Sequence, residues 1–254
     1  MNLNKYNKIC YNIKPKEGDS MKNLQIYCDK RKFQYDGHVL RRGIRQFEKT
    51  GEGLESKVFK INNRVAFKLY KDTHDKAKID EKMINELSQI ETKRIVLPNN
   101  IIKTEQGTTK GYSMDYIEES DTDIIDFSKE QLVKELSLLK EDLIELGENN
   151  VEIGDLREEN TISNDKEFYL IDCGDYLKRE EETTKVNLQF FNDYMVEDVL
   201  TELVFEEAKD ILDGLELIQN IRSYLYEGNF IADYFDKELK EDESINEYVK
   251  RIVN

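Results

Sequence analysis

The chain is poor in the residues that break, staple or ligate. Among 254 residues there are two prolines (Pro15, Pro98), two histidines (His38, His74) and three cysteines (Cys10, Cys28, Cys173). Two prolines exclude a proline-rich linker. Three cysteines, odd in number and widely spread, suggest neither a disulfide framework nor a zinc site, and point to a reducing, cytoplasmic setting. The histidines read as surface or loop residues and not as ligands. No apolar run approaches the roughly 20 residues that a membrane span needs. The opening MNLNKYNKICYNIKPKEGDS has no apolar h-region, so no secretory signal is expected. Positive charge is also scarce. Lysine and arginine number 38 against 54 acids, a net charge of -16, which argues against broad nucleic-acid binding.

What is present is a core and a polar exterior. Hydrophobic residues make up 38% of the chain, enough for a folded interior, while 36% charge and a mean hydropathy of -0.73 leave a polar surface. The charge is uneven: the first 23 residues are rich in lysine, and 118–126, 141–159 and 236–247 are acidic. Solubilising charge is the plain reading, and an acidic C-terminal half would also suit a basic peptide partner.

Residues 1–23 lack clear periodicity and read as an extension. From about 24 to 70 the pattern is strand-like. KVFKINNRVAFKLY is two β-rich runs around Asn62-Asn63, a pair that tolerates the positive φ of a hairpin turn. Ile79, Met83, Leu87 and Ile90 at helical spacing predict an amphipathic helix over about 75–90. RIVLPNNIIK and TKGYSMDYI read as two further strands, the first interrupted by Pro98. Leu132, Leu136, Leu139, Leu143 and Leu146 predict a long helix opened by Ser128. After Tyr176 three amphipathic stretches are expected to be helical. Strands first and helices afterwards mean α+β and not alternating βαβ.

The richest stretch chemically is Val151–Tyr176, VEIGDLREENTISNDKEFYLIDCGDY. Asp155 and Asn160 lie five residues apart, and an apolar strand then delivers Asp172. Two carboxylates and a carboxamide suit a base and a hard cation, since magnesium takes one or two carboxylates together with water and phosphate oxygens. Upstream, Gly51-Glu52-Gly53 lets backbone approach a phosphate, and Val58 offers an apolar surface for a flat ring. Lys68 closes Val65-Ala66-Phe67-Lys68 as a point charge that would reach a phosphate. Glu86, eighteen residues on, lies on the predicted helix where it would pair with Lys68, with Glu81 as a competitor. Each alone has a plainer explanation: a turn, a solvent-facing strand lysine, a solvated glutamate.

In order, these segments resemble the protein-kinase-like superfamily, which includes eukaryotic-type Ser/Thr kinases and aminoglycoside-phosphotransferase-like kinases. The likeness runs from about Gly51 to Tyr176. Gly51-x-Gly53-x-x-Ser56-x-Val58 resembles the glycine-rich loop, Val65–Lys68 the VAIK strand, and Glu86 the helix glutamate. Leu97-Pro98-Asn99-Asn100-Ile101 is similar to the segment after that helix, and Gly111–Ile117 to the hinge. The resemblance implies a nucleotide site lined by Gly51, Gly53, Val58, Ala66, Lys68, Glu86, Met114 as gatekeeper, the backbones of Asp115 and Ile117 against adenine, and Ile162 beneath it. It implies Asp155 as base, Arg157 beside the transferred phosphate, and Asn160 and Asp172 as magnesium ligands.

The departures are Ile153-Gly154 where protein kinases have His-Arg, Cys173 for the DFG phenylalanine, and no Ala-Pro-Glu after Asp172. Ile153 and Cys173 would form an apolar packing pair, and the peptide-substrate platform loses its motif. Gly-Asp-Leu instead resembles the small-molecule kinases. The expectation is therefore an α+β, bilobal, atypical protein-kinase-like fold. A small antiparallel β-rich N-lobe with one helix (24–117) would be followed by a mainly helical C-lobe (118–254). The expected activity is ATP- and magnesium-dependent phosphoryl transfer to a hydroxyl, with Ser/Thr of a protein first. The alternatives are a small-molecule kinase, a nucleotide-binding pseudokinase acting as an interaction module, and nucleotidyl transfer. Competent residues at every charged position favour an active enzyme.

Overall fold

The computed structural model describes residues 26–29, 32–35, 38–40, 47–71, 79–104, 107–179 and 182–254, the first three ranges as backbone. The lysine-rich extension, Cys10 and His74 lie outside the described residues. Three short strands, β1 (Ile26–Asp29), β2 (Lys32–Tyr35) and β3 (His38–Leu40), come first. They are followed by β4 (Glu48–Glu52), β5 (Ser56–Asn62) and β6 (Val65–Tyr70). Helix α1 (Glu81–Leu87) leads to β7 (Pro98–Lys103) and β8 (Thr109–Asp115). The strands form one sheet in the order β3-β2-β1-β7-β8-β6-β5-β4. From β7 to β4 every neighbour is antiparallel, while β1 joins β7 in parallel, Ile26 opposite Ile102. The sheet is thus larger than the small antiparallel one expected, and mixed, with one parallel pair between its third and fourth strands.

Strand β6 is central and covered on both faces, which explains its unbroken apolar start: Val65, Ala66 and Phe67 are at most 1% exposed. The β5–β6 turn differs from its expected form. No positive φ is found at Asn62 or Asn63. Instead Asn62 Oδ1 accepts from the Arg64 amide at 2.8 Å, an Asx turn beside a bulge at Lys60–Asn62. Pro98 begins β7 and does not interrupt a strand, a position where its missing N–H costs no ladder bond. Helix α1 starts where Asp80 caps the Met83 amide at 2.7 Å, and it buries Met83, Ile84 and Leu87.

The helical part opens with α2 (Lys129–Glu148), in which Leu132, Leu136, Leu139, Leu143 and Leu146 are all fully buried. Two short pairings follow. The strands β9 (Val151–Glu152) and β12 (Leu177–Lys178) are antiparallel, as are β10 (Thr161–Ser163) and β11 (Phe168–Leu170). Then come α3 (Thr183–Tyr194), a π-helical turn at Met195–Leu200, α4 (Thr201–Glu207), α5 (Ile211–Tyr226), α6 (Ile231–Glu238) and α7 (Ile245–Val253). Helix α6 is absent from the sequence reading. It is eight residues long and starts at Phe230, whose amide bonds Asp233, so it lacks a polar N-cap signal.

The two parts are tied by the segment between α1 and β7. Buried Asp142 of α2 accepts the amides of Lys93, Arg94 and Ile95 within 3.2 Å. Arg94 pairs with fully buried Glu135, and with Glu167 at 3.1 Å. Val96 and Leu170 complete the tie, the Val96 amide donating to the Leu170 carbonyl at 2.8 Å. Among the described residues no helix is long and apolar enough to cross a membrane.

Candidate active site

Register places one set of candidate residues on one face of the sheet. Lys68 lies opposite Val58 on one side and Tyr112 on the other, and Ala66 lies opposite Met114. Cross-strand partners share a face, and so do residues two apart in a strand. Val58, Ala66, Lys68, Tyr112 and Met114 therefore face the same way. Gly51 pairs with Val58, and Gly53 closes the β4–β5 turn by donating to the Ser56 carbonyl at 3.1 Å. Glu52 at the same turn is held by Lys49 (2.6 Å), Lys71 (3.0 Å) and Lys57 (3.2 Å). Those cations bring its carboxyl down to about 2.

The β10–β11 hairpin brings the second set together. Thr161 pairs with Leu170, and the Ile171 amide donates to the Asn160 carbonyl at 2.8 Å, so Asn160 and Asp172 emerge at the same hairpin end. Asp155 is joined to this end: the Asn160 carboxamide donates to the Asp155 carbonyl at 2.6 Å and to its Oδ2 at 3.4 Å. Asp155 (φ 48°) and Asp172 (φ 61°) both sit in the left-handed region, two of five described non-glycine residues that do. Strain of this kind persists where surroundings over-determine the backbone, and it clusters at functional sites.

The two sets meet. Lys68 Nζ forms an ion pair with Asp172 Oδ1 across 104 residues of sequence, the lysine side chain 9% exposed and the carboxylate 38%. Asp172 also accepts from the Gly174 amide at 3.0 Å. Neutral groups lie behind the pair. The Tyr112 hydroxyl is 3.6 Å from Cys173 Sγ. Burial pushes the thiol up to about 11 and the Tyr112 and Tyr176 phenols well above their usual value. Cys173 and Ile153, the expected apolar pair, are both buried in the same core.

The remaining expected site residues make other contacts. Glu86 does not meet Lys68: it pairs with Lys178 of β12 at 3.1 Å and with Lys82 at 3.7 Å. Glu81, the competitor, pairs with Lys103. The reason is position: Lys178 is fixed by the β9–β12 ladder and by the Asn149 carbonyl (2.8 Å), while Asp172 already satisfies Lys68. Arg157 is two-thirds exposed and pairs with Asp155. The Asp115 carboxylate turns to Asn99 at 2.8 Å, and Ile117 packs against the core. Ile162 lies in β10, opposite Tyr169.

One supporting residue escaped the sequence reading. Asn187 of α3, completely buried, accepts the Ile153 amide at 2.9 Å and donates to the carbonyls of Val151 (2.9 Å) and Leu143 (3.3 Å), holding the chain before Asp155. Its signal was a carboxamide four residues from Thr183 and from Phe191 on the buried stripe of α3. Gly154 accounts for one departure from the kinase pattern. A Cβ there would lie 2.3 Å from the Asp175 carbonyl oxygen, so a larger residue is excluded by close backbone contact.

The donor set fits magnesium. The described residues contain no cluster of three acidic, histidine or cysteine groups able to cage a metal. Asp172 and the oxygen of Asn160, whose nitrogen is committed to Asp155, would leave most positions to water and phosphate, as magnesium prefers. No protein-family model matches the sequence, and no curated protein is significantly similar to it.

Proposed function

We propose that the chain is an ATP- and magnesium-dependent phosphotransferase with a bilobal, protein-kinase-like fold, the sheet and α1 forming one lobe and residues 118–254 the other. The carrying observation is the Lys68–Asp172 pair, with Asn160 and Asp155 at the adjoining hairpin end. The sheet order β7-β8-β6-β5-β4, with α1 between β6 and β7, supports the same reading.

In this reading Lys68 and Asp172 keep each other's charge compensated until nucleotide exchanges their partners. Lys68 would then hold the phosphates as a point charge, and Asp172 and Asn160 would hold magnesium. The metal supplies neutralisation of phosphate charge. Asp155 orients the acceptor hydroxyl and takes its proton, and Arg157 swings from Asp155 to the transferred group. Rate acceleration comes from positioning and preorganised charge.

The geometry favours a small-molecule hydroxyl as acceptor. Only residues 173–182 separate Asp172 from α3, and β12 within them is clamped to β9. That leaves little chain to form a bed for a peptide. Ser/Thr of a protein is the second reading, carried by the likeness from the glycine loop to the hinge. Intact mass after incubation with ATP and magnesium, alongside release of labelled phosphate into protein and small-molecule hydroxyl mixtures, decides between them. ATP turnover that requires Asp155 and Asp172 is the expected result. An unchanged ATP pool with every acceptor would sink the proposal, and gain of an adenylyl unit would replace it with nucleotidyl transfer.

A further inference from the structure

Helix α5 carries more apolar surface than the core uses. Leu217, Ile218, Ile221 and Leu225 form its buried stripe, while Ile211, Leu212 and Leu215 lie beside that stripe and are 45–71% exposed. A surface helix normally presents one apolar stripe and a polar remainder. Gly214 marks where α5 crosses α4, since a Cβ there would lie 2.6 Å from Val204 Cγ1. Phe205, the next residue of α4 and also exposed, falls within a turn of the same crossing. One exposed leucine needs no explanation, but four large apolar side chains around one helix crossing mark an interaction surface.

The charge around this surface has one sign. Glu202 and Glu206 of α4 and Asp213 and Glu216 of α5 are all exposed. None of the four is in an ion pair among the described residues, and Lys209 is the one base between them. This acidic rim decides the occupant. A second copy of the face would set acids against acids, and an anionic lipid surface would be repelled. A lysine-bearing apolar segment fits both features.

The start of the chain has that composition. Lys5, Lys8, Lys14, Lys16 and Lys22 outnumber Glu17 and Asp19, and they alternate with Leu3, Tyr6, Ile9, Tyr11 and Ile13. The first described strand begins at Ile26, so 25 residues precede it. Extended, they span up to about 80 Å, against a radius of gyration of about 18 Å for a folded chain of this length. The α4–α5 face is therefore within reach. Tethering also holds the segment at roughly millimolar effective concentration, so weak contacts suffice.

We infer that the lysine-rich segment 1–23 docks on the α4–α5 face of its own chain. Its apolar side chains lie against Phe205, Ile211, Leu212 and Leu215, and its lysines meet the acidic rim. This docking is independent of phosphoryl transfer.

The test is photo-crosslinking of the full chain with p-benzoylphenylalanine in place of Ile9, read by intact mass and peptide mapping. The expected product has the mass of one chain and joins position 9 to the peptide containing 201–216. Phe205→Lys combined with Leu212→Lys should lower its yield at least about fivefold, because each puts a charge against the apolar face. Both positions are exposed, so the fold should tolerate the change. Lys8→Glu combined with Lys14→Glu, which leaves the helices untouched, should lower the yield similarly, as should 0.5 M salt, roughly a 4 Å screening length. Crosslinks mapping mainly elsewhere, a product of two chains, a yield unchanged in either double variant, or no crosslink would each overturn the assignment.

Discussion

Lys68 and Asp172 show what a single ion pair does at a half-buried site. A lysine head this shielded is costly without a counter-charge, and Asp172, more than a third exposed, supplies it at reduced cost. Asp172→Ala should destabilise the chain by about 1–3 kcal/mol, less than a fully buried pair because water screens the carboxylate. Adding Lys68→Met should restore most of that loss. Urea denaturation of the two single variants and the double variant closes the cycle, and strict additivity would mean that the pair contributes nothing. Both residues were legible as chemistry in the sequence, one ending an apolar strand and one following another. Their direct contact was not. Glu86 was assigned to Lys68 because helical spacing placed it nearby, but spacing does not register that Lys178 stands closer.

At the scale of elements, α2 was readable almost residue by residue, since five leucines at helical spacing have no better use than burial. What the spacing could not convey is the work of the buried acids on the same helix. Asp142 satisfies three amides of the α1–β7 segment, so Asp142→Ala should cost about 2–4 kcal/mol, lowering the urea midpoint. Asp142→Asn, which keeps one acceptor, should cost less. Between α6 and α7, Glu243 meets Arg251 at 2.6 Å, and the guanidinium lowers the Glu243 carboxyl from 4.5 to about 2. A carboxylate depressed in the folded state stabilises fully above its unfolded pKa and loses that contribution as pH falls through its folded pKa. Arg251→Gln should therefore lower stability near neutral pH. The gap to the parent chain should close between about pH 4.5 and pH 2. A gap that persists at the acid end would show that Arg251 acts through packing instead. The π-helical turn and α6 were not legible, because the first is a hydrogen-bond register within an amphipathic stretch and the second lacks a polar cap.

At the scale of the molecule, the candidate site is built between a sheet and a helical assembly that meet at the α1–β7 segment. A ligand that engages Lys68 from one part and Asp172 from the other should raise the melting temperature as one transition. Saturation at about 100 times Kd corresponds to about 2.7 kcal/mol. Differential scanning calorimetry with ATP and magnesium measures this, and the shift should vanish in Asp172→Ala. A shift retained in that variant would place the nucleotide elsewhere. The sequence by itself determined the α+β order, the leucine stripe of α2, the strand that ends near Lys68 and the cluster Asp155, Asn160 and Asp172. Each of these is written in local periodicity or close spacing along the chain. Only the tertiary structure decided that Lys68 pairs with Asp172, that Glu86 goes to Lys178, that Asn187 anchors the loop before Asp155, and that Gly154 is needed against Asp175. Those outcomes depend on which of several competing groups, distant in sequence, lies nearest in space.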